Sequence, residues 1–252
     1  MCHMNLSIRV VEGEWGGASP ADVSAVVQSV AQCLEEAVME RPVEPILVEP
    51  TPGIDDPPRA LFDRAKSGEV RVLLNVRGNL WARLALQFAH EFCHVLSNFG
   101  EPLHHSSRWL DESLCEASSL FALRAMAARW QHFPPYPNWA PYALRLAEYS
   151  EERCTDPAHQ LPAGMGFLQW LASQVPLLRG DAGRRADNTL VALRLLPVFE
   201  ENADAWRAVR YLNLWDASQD SSVEQFCAHW REVVPPRLCS AVDRIDRRLT
   251  RE

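Results

Sequence analysis

The sequence feature that most constrains this chain is an H-E-x-x-H pattern, His90-Glu91-Phe92-Cys93-His94, inside an apolar run with helical periodicity. Side chains four residues apart lie on the same face of a helix, so His90 and His94 can direct two imidazoles at one point. Zinc binds such nitrogens and takes three protein ligands in catalytic sites. The pattern therefore predicts two ligands of a zinc site, with Glu91 beside them as a candidate general base.

The surroundings of the pattern favour a metal site over an accident of composition. By chance, the bare pattern is expected in roughly one chain in a hundred of this length. Here it lies on a predicted helix, residues 79–98, directly after a predicted strand over residues 69–76 that is rich in β-branched side chains. A second helix is predicted over residues 108–130, where apolar residues again recur at helical spacing.

The second helix offers a third ligand. Glu112 and Glu116 are four residues apart and share a face, and 17 residues separate His94 from Glu112, enough for a loop and a returning helix. If Glu112 binds the metal, Glu116 lies one turn away and can accept a hydrogen bond from a ligand imidazole. A solvated acidic face is the alternative, and the neighbouring Trp109 and Leu110 disfavour it.

Two cysteines lie within a helical turn of these positions, Cys93 and Cys115. A thiol near zinc can serve as an alternative ligand or as a switch. The sequence has no C-x-x-C pair, which favours small packing residues instead. The seven cysteines are scattered and no secretory signal is visible at the N-terminus, so a reduced, cytoplasmic protein is predicted.

H-E-x-x-H followed by W-L-D-E at residues 109–112 resembles the gluzincin metallopeptidases, of which the thermolysin-like and aminopeptidase-N-like enzymes are the best known. The strand–helix–helix order of residues 69–130 is similar to their catalytic core. The resemblance implies a peptide or protein substrate that pairs with the edge strand before the zinc helix, here Val70–Val76. The tyrosine and the glycine-rich motif of the aminopeptidases are missing, so aminopeptidase specificity is not implied.

The resemblance also implies a role for each site residue. His90, His94 and Glu112 would bind Zn²⁺, Glu91 would be the general base acting on zinc-bound water, and Glu116 would support a histidine ligand. The chain is similarly compatible with small regulatory H-E-x-x-H proteases that cleave phage repressors. In those proteins the residue at the position of Glu116 is the ligand, which keeps Glu116 open as the alternative. Glu112 is preferred because the W-L-D-E match is closer and leaves Glu116 a supporting role.

The residue that would stabilise an oxyanion has no distinguishing spacing. A hydroxyl or imidazole is expected in this role. The candidates are Tyr136, Tyr142, Tyr149 and His159, together with His104 and His105 in the loop between the two motif helices.

The expected fold class is α+β, with a small N-terminal mixed sheet carrying the zincin-like H-E-x-x-H helix and a mostly α-helical C-terminal half. With 252 residues and 47% hydrophobic content, a single domain over residues 1–252 is expected, with sub-lobes 1–130 and 131–252. No apolar run reaches about 18 residues, so no membrane span is predicted. A net charge of −8 argues against a nucleic-acid partner.

The sequence therefore predicts a zinc-dependent hydrolase, and specifically a metallopeptidase. Two alternatives remain open. One is a zinc-stabilised binding or scaffold domain without catalysis. The other is a dedicated regulatory protease with one protein substrate, which would be inactive on generic peptides.

Overall fold

A four-stranded mixed sheet forms the N-terminal part of the chain. The computed structural model describes residues 6–99, 106–216 and 222–251. The strands are β1 (Ile8–Val10), β2 (Ile46–Pro50), β3 (Arg59–Arg64) and β4 (Val70–Leu74), in the order β1-β2-β4-β3. β1, β2 and β4 run parallel, whereas β3 pairs antiparallel with β4. The small mixed sheet expected from the sequence is confirmed.

The position of the strand before the H-E-x-x-H helix differs from the expectation. β4 pairs with β2 on one side and with β3 on the other, so Val70–Leu74 is an interior strand and not an edge. The edge strands are β1 and β3, and the sequence pattern did not reveal β3, the edge strand beside β4. β3 follows Pro57-Pro58 and carries charged residues at both ends, and a register irregularity between Leu61 and Arg64 breaks its alternation. Such signals resemble a loop more than a strand.

Helices cover the sheet as the apolar spacing predicts. α1 (Pro20–Cys33) is capped by Ser19, whose hydroxyl accepts a 3.0 Å hydrogen bond from the Asp22 N–H. α2 (Glu35–Glu40) follows α1. α3 (Trp81–Leu96) carries the H-E-x-x-H pattern and follows β4.

The register of α3 on the sheet is fixed by one side chain. The Gln87 carboxamide bonds to the Asn75 side chain at 2.5 Å and accepts from the Asn75 backbone N–H at 3.1 Å. Asn75 directly follows β4, so these two bonds tie the strand end to the helix one turn before His90. Phe88 and Phe92 stack behind the helix at 5.4 Å and are fully buried. Burying each such ring stabilises the fold by about 1.5–3 kcal/mol.

The remaining helices follow α3 along the chain. They are α4 (Arg108–Trp130), α5 (Tyr142–Thr155), α6 (Phe167–Gly180), α7 (Arg185–Glu201), α8 (Ala203–Val209), α9 (Val223–Val233) and α10 (Cys239–Thr250). The α+β class with a helical C-terminal half is thus confirmed. No helix in the described part of the chain is both long and apolar enough to cross a membrane.

Contacts divide the chain into two compact units, with boundaries at the end of α3, inside α4 and inside α5. One unit comprises residues 1–96 and 118–151, and the other residues 97–117 and 152–252.

Within the second unit, two asparagines with φ of 60° bind the segment after α3 to the segment after α8. The Asn98 amide donates to the carbonyls of Arg210 and Leu212, and the Asn213 amide donates to Asp111 in the first turn of α4 at 2.9 Å. These bonds hold the start of α4 in place.

Candidate metal centre

α3 places the two motif histidines as the sequence predicts. His90 and His94 are 7% and 6% exposed, and their ring centroids are 5.0 Å apart with the planes inclined at 75°. They are four residues apart on the helix, so both rings lie on one face. Two nearly buried imidazoles that face one another in this way are a typical half of a metal site.

Cys115 on α4 completes a group of three. One donor atom from each of His90, His94 and Cys115 lies within 4.8 Å of the other two, and all three residues are buried. This group could bind a metal ion. From the sequence, Cys115 is expected first as a small packing residue and second as an alternative ligand.

Two serines one helical turn after Cys115 explain why α4 lies so close to α3. The Ser118 hydroxyl donates to the Ala89 carbonyl at 3.1 Å, and the Ser119 hydroxyl donates to the Leu86 carbonyl at 3.0 Å. Both serines are fully buried, and their small side chains let the two helix backbones approach. The sequence signal was present in the run Ala117-Ser118-Ser119, but it indicated close packing without giving the facing residue.

Glu112 does not belong to this group. It is half-buried on the same helix, three residues before Cys115, and therefore near the same face. Glu116 is 2% exposed and immediately follows Cys115. The predicted helix is thus the one that supplies the third donor of the group, whereas the ligand role of Glu112 and the supporting role of Glu116 stay predictions.

Glu91 lies against the sheet. Its carboxylate accepts a 2.7 Å hydrogen bond from the backbone N–H of Ala60 in β3, and the side chain is 4% exposed. A carboxylate that accepts a backbone N–H is held in one orientation. The candidate general base Glu91 is therefore held against β3 by this hydrogen bond.

The oxyanion candidates occupy different surroundings. The Tyr142 hydroxyl accepts from the Ala82 N–H at 3.2 Å, at the first turn of α3 and roughly 12 Å along the helix axis from His90. Tyr136 packs edge-on against Trp139 and is 37% exposed, and Tyr149 is half-buried on α5. These contacts of Tyr142 and Tyr136 do not involve the donor group of His90, His94 and Cys115.

The histidine candidates are divided by what the structure describes. The His159 ring is 6% exposed and its Nδ1 lies 2.7 Å from the carbonyl oxygen of Arg153, so one of its nitrogens already has a structural partner. His104 and His105 lie outside the described residues.

Comparison of the chain with protein-family models, with curated proteins and with solved structures gives no match.

Proposed function

We propose that this chain is a zinc-dependent hydrolase that cleaves peptide bonds, with His90, His94 and Cys115 as metal ligands. The observation that carries the proposal is the buried group of these three donors, with Glu91 in the same H-E-x-x-H turn. Imidazole and thiolate donors suit zinc better than magnesium or calcium, which prefer oxygen. Glu112 is the second candidate for the third ligand, on the resemblance to the gluzincins.

The donor group fits an ion of this size. In a tetrahedral zinc site, donors at about 2.0–2.3 Å from the ion are roughly 3.3–3.8 Å from one another. The donors of His90, His94 and Cys115 lie within 4.8 Å of each other, so closure on a common ion needs a shift of about 1 Å, which small side-chain torsions supply.

Glu91 is suited to move the proton. A bound Zn²⁺ supplies Lewis-acid polarisation of a carbonyl and lowers the pKa of a water molecule towards about 7. Glu91 would accept the proton of the attacking water and deliver it to the leaving amine. The Ala60 N–H holds one carboxylate oxygen at 2.7 Å and leaves the other oxygen to carry the proton.

The edge strand supports an extended peptide as substrate. β3 is the end strand of the sheet, and the backbone N–H of its Ala60 bonds to the Glu91 carboxylate. A peptide added beside β3 as a further strand would therefore lie next to the general base. This replaces the strand Val70–Val76 that the resemblance implied, because β4 is paired on both sides.

A catalytically silent, metal-stabilised scaffold is the second candidate, and burial favours it. His90, Glu91 and His94 are 7% exposed or less and Cys115 is fully buried, so a substrate has little direct access. In that case the metal would only stabilise the fold, as structural zinc does in small domains. A dedicated regulatory protease would resemble this candidate in assays on generic peptides.

The test is Glu91→Gln, which keeps the size of the side chain and removes the base. Purified chain should hold one zinc ion, and Glu91→Gln should keep that zinc but lose at least a hundredfold of its activity on an unbiased peptide library. Glu148→Gln, an exposed carboxylate on α5, is the matched control and should retain full activity.

The outcomes separate the candidates. Zinc without any peptide hydrolysis, together with no protein captured by Glu91→Gln from a lysate of the source cells, would support the scaffold. A single protein trapped by Glu91→Gln and cleaved by the wild-type chain would support the regulatory protease. We place such a protease in the cytoplasm, because Cys115 needs a reducing environment. Absence of zinc from the purified chain would sink the proposal.

A further inference from the structure

A second group of polar side chains, unrelated to the donor group, lines a groove between α7 and α10 in the second unit. The groove has a volume of about 500 Å³. Its charged lining consists of Arg194, Glu201, Arg244, Arg247, Arg248 and Arg251. Five guanidinium groups thus face one carboxylate, in a chain whose net charge is −8.

The arginines of α10 reach the groove through helical spacing. Arg244, Arg247, Arg248 and Arg251 stand at positions i, i+3, i+4 and i+7, which places them on one side of the helix or just past its end. Two carboxylates of the same helix, Asp243 and Asp246, line a neighbouring groove together with Glu224 on α9, and Arg231 and Arg251 also line that groove. Arg244, Arg247 and Arg248 line only the α7–α10 groove, whereas Arg251 borders both grooves.

Among these guanidinium groups, Arg251 has a described carboxylate nearby, because it interacts electrostatically with Asp246. None of the five arginines forms an ion pair within 4.0 Å with a described carboxylate, whereas Arg184, Arg207 and Arg231 in the same unit each do. Like charges this close repel one another, and a bound anion would remove that cost.

One of the arginines is already oriented. The Arg194 Nε donates to the Arg248 backbone carbonyl at 3.2 Å, and its guanidinium carbon lies 5.3 Å from the centre of the Phe167 ring. A guanidinium held by a backbone bond and a ring face loses less rotamer freedom when it binds a ligand. Its terminal N–H groups remain for that ligand.

From this arrangement we infer that the α7–α10 groove binds a small anion bearing two or more phosphoryl groups. Guanidinium groups match phosphate oxygens in bidentate geometry, and several arginines together require more than one phosphoryl group. A volume of about 500 Å³ is that of a small-molecule site. The acidic chain as a whole disfavours an extended nucleic-acid backbone. The inference is independent of the metal centre.

The test is calorimetric titration of the full chain with inorganic pyrophosphate at constant ionic strength. We expect one saturable pyrophosphate site per wild-type chain. The double variant Arg244→Glu/Arg247→Glu should bind pyrophosphate at least tenfold more weakly. Sulfate at the same ionic strength should show no saturable site. Both residues are exposed, so the fold should be unaffected, and Arg244→Gln/Arg247→Gln repeats the test without charge reversal.

Arg185→Glu is the matched control, because Arg185 is exposed on α7 outside the groove. Arg185→Glu should bind pyrophosphate as the wild type does. Its proposed metal ligands are intact, so any heat from metal chelation by pyrophosphate appears in this control as well. Absence of saturable binding, or equal binding by the double variant and Arg185→Glu, would overturn the inference. Tighter binding of a single-stranded oligonucleotide that displaces pyrophosphate would overturn it in favour of nucleic acid.

Discussion

The carboxylate of Glu91 and the backbone N–H of Ala60 are joined by a 2.7 Å hydrogen bond. This bond connects the middle of the H-E-x-x-H helix to the edge strand of the sheet. Both partners belong to the same compact unit, and Glu91 is almost completely buried. The residue proposed to move protons is therefore also a structural contact, and the two roles can be separated by substitution.

Glu91→Gln and Glu91→Leu should differ in stability although both remove the base. Gln retains an acceptor for the Ala60 N–H, so its free energy of unfolding should fall by less than about 1 kcal/mol. Leu leaves that N–H without its partner and should cost about 1–3 kcal/mol. Urea unfolding in the presence of a chelator measures the difference without a contribution from metal binding. Equal losses for both variants would mean that the bond contributes nothing.

Cys115→Ala should weaken metal binding at least tenfold, because it removes one of three donors. Cys93→Ala is the matched control: Cys93 is equally buried but is not part of the group, so this variant should bind metal normally. Loading the wild-type chain with Co²⁺ should give a near-ultraviolet sulfur-to-cobalt charge-transfer band that Cys115→Ala lacks.

The same experiment decides between the two candidates for the third ligand. If Glu112→Gln loses the metal while Cys115→Ala keeps it, Glu112 is the ligand and Cys115 is a packing residue. If both variants lose it, metal binding depends on both side chains of this face of α4.

Removing the metal should lower the thermal midpoint of the wild-type chain and leave that of His94→Ala unchanged. A ligand that binds only the folded state stabilises it by about 2.7 kcal/mol at a concentration one hundred times its Kd. Differential scanning calorimetry with and without a chelator measures the shift in both proteins. His132→Ala, a histidine outside the donor group, should respond to the chelator as the wild type does. A midpoint insensitive to chelation in the wild-type chain would contradict a bound metal.

Acid should weaken the fold through Glu69, at the start of β4. Hydrogen bonds from the Ser67 hydroxyl and then from Arg9 lower the pKa of the Glu69 carboxyl to about 2. The pKa of Glu69 in the folded chain lies below its unfolded value of about 4.3. The contribution of Glu69 to the free energy of unfolding is therefore complete above the unfolded pKa and is lost as pH falls towards 2. The difference in urea midpoint between wild type and Glu69→Gln should be constant near neutral pH and shrink between pH 5 and 2, roughly. A difference that stays constant to pH 2 would contradict the assignment.

Local patterns predicted the helices well because their signals are short-range. α4 begins and ends where the spacing indicated. β3 escaped prediction because a strand at the edge of a sheet is stabilised by its neighbour and needs little alternation of its own. Its partner β4 was visible because its side chains are buried on both faces.

The sequence by itself determined that His90 and His94 share one helix face with Glu91 beside them, because helical geometry fixes neighbours three and four residues apart. It also predicted a third donor on the next helix, at Glu112. Only the tertiary structure decided that Cys115 faces the two histidines and that Glu91 meets Ala60. Those contacts depend on how closely and in which register two elements pack, which Ser118 and Ser119 set through bonds to α3 that local spacing does not specify.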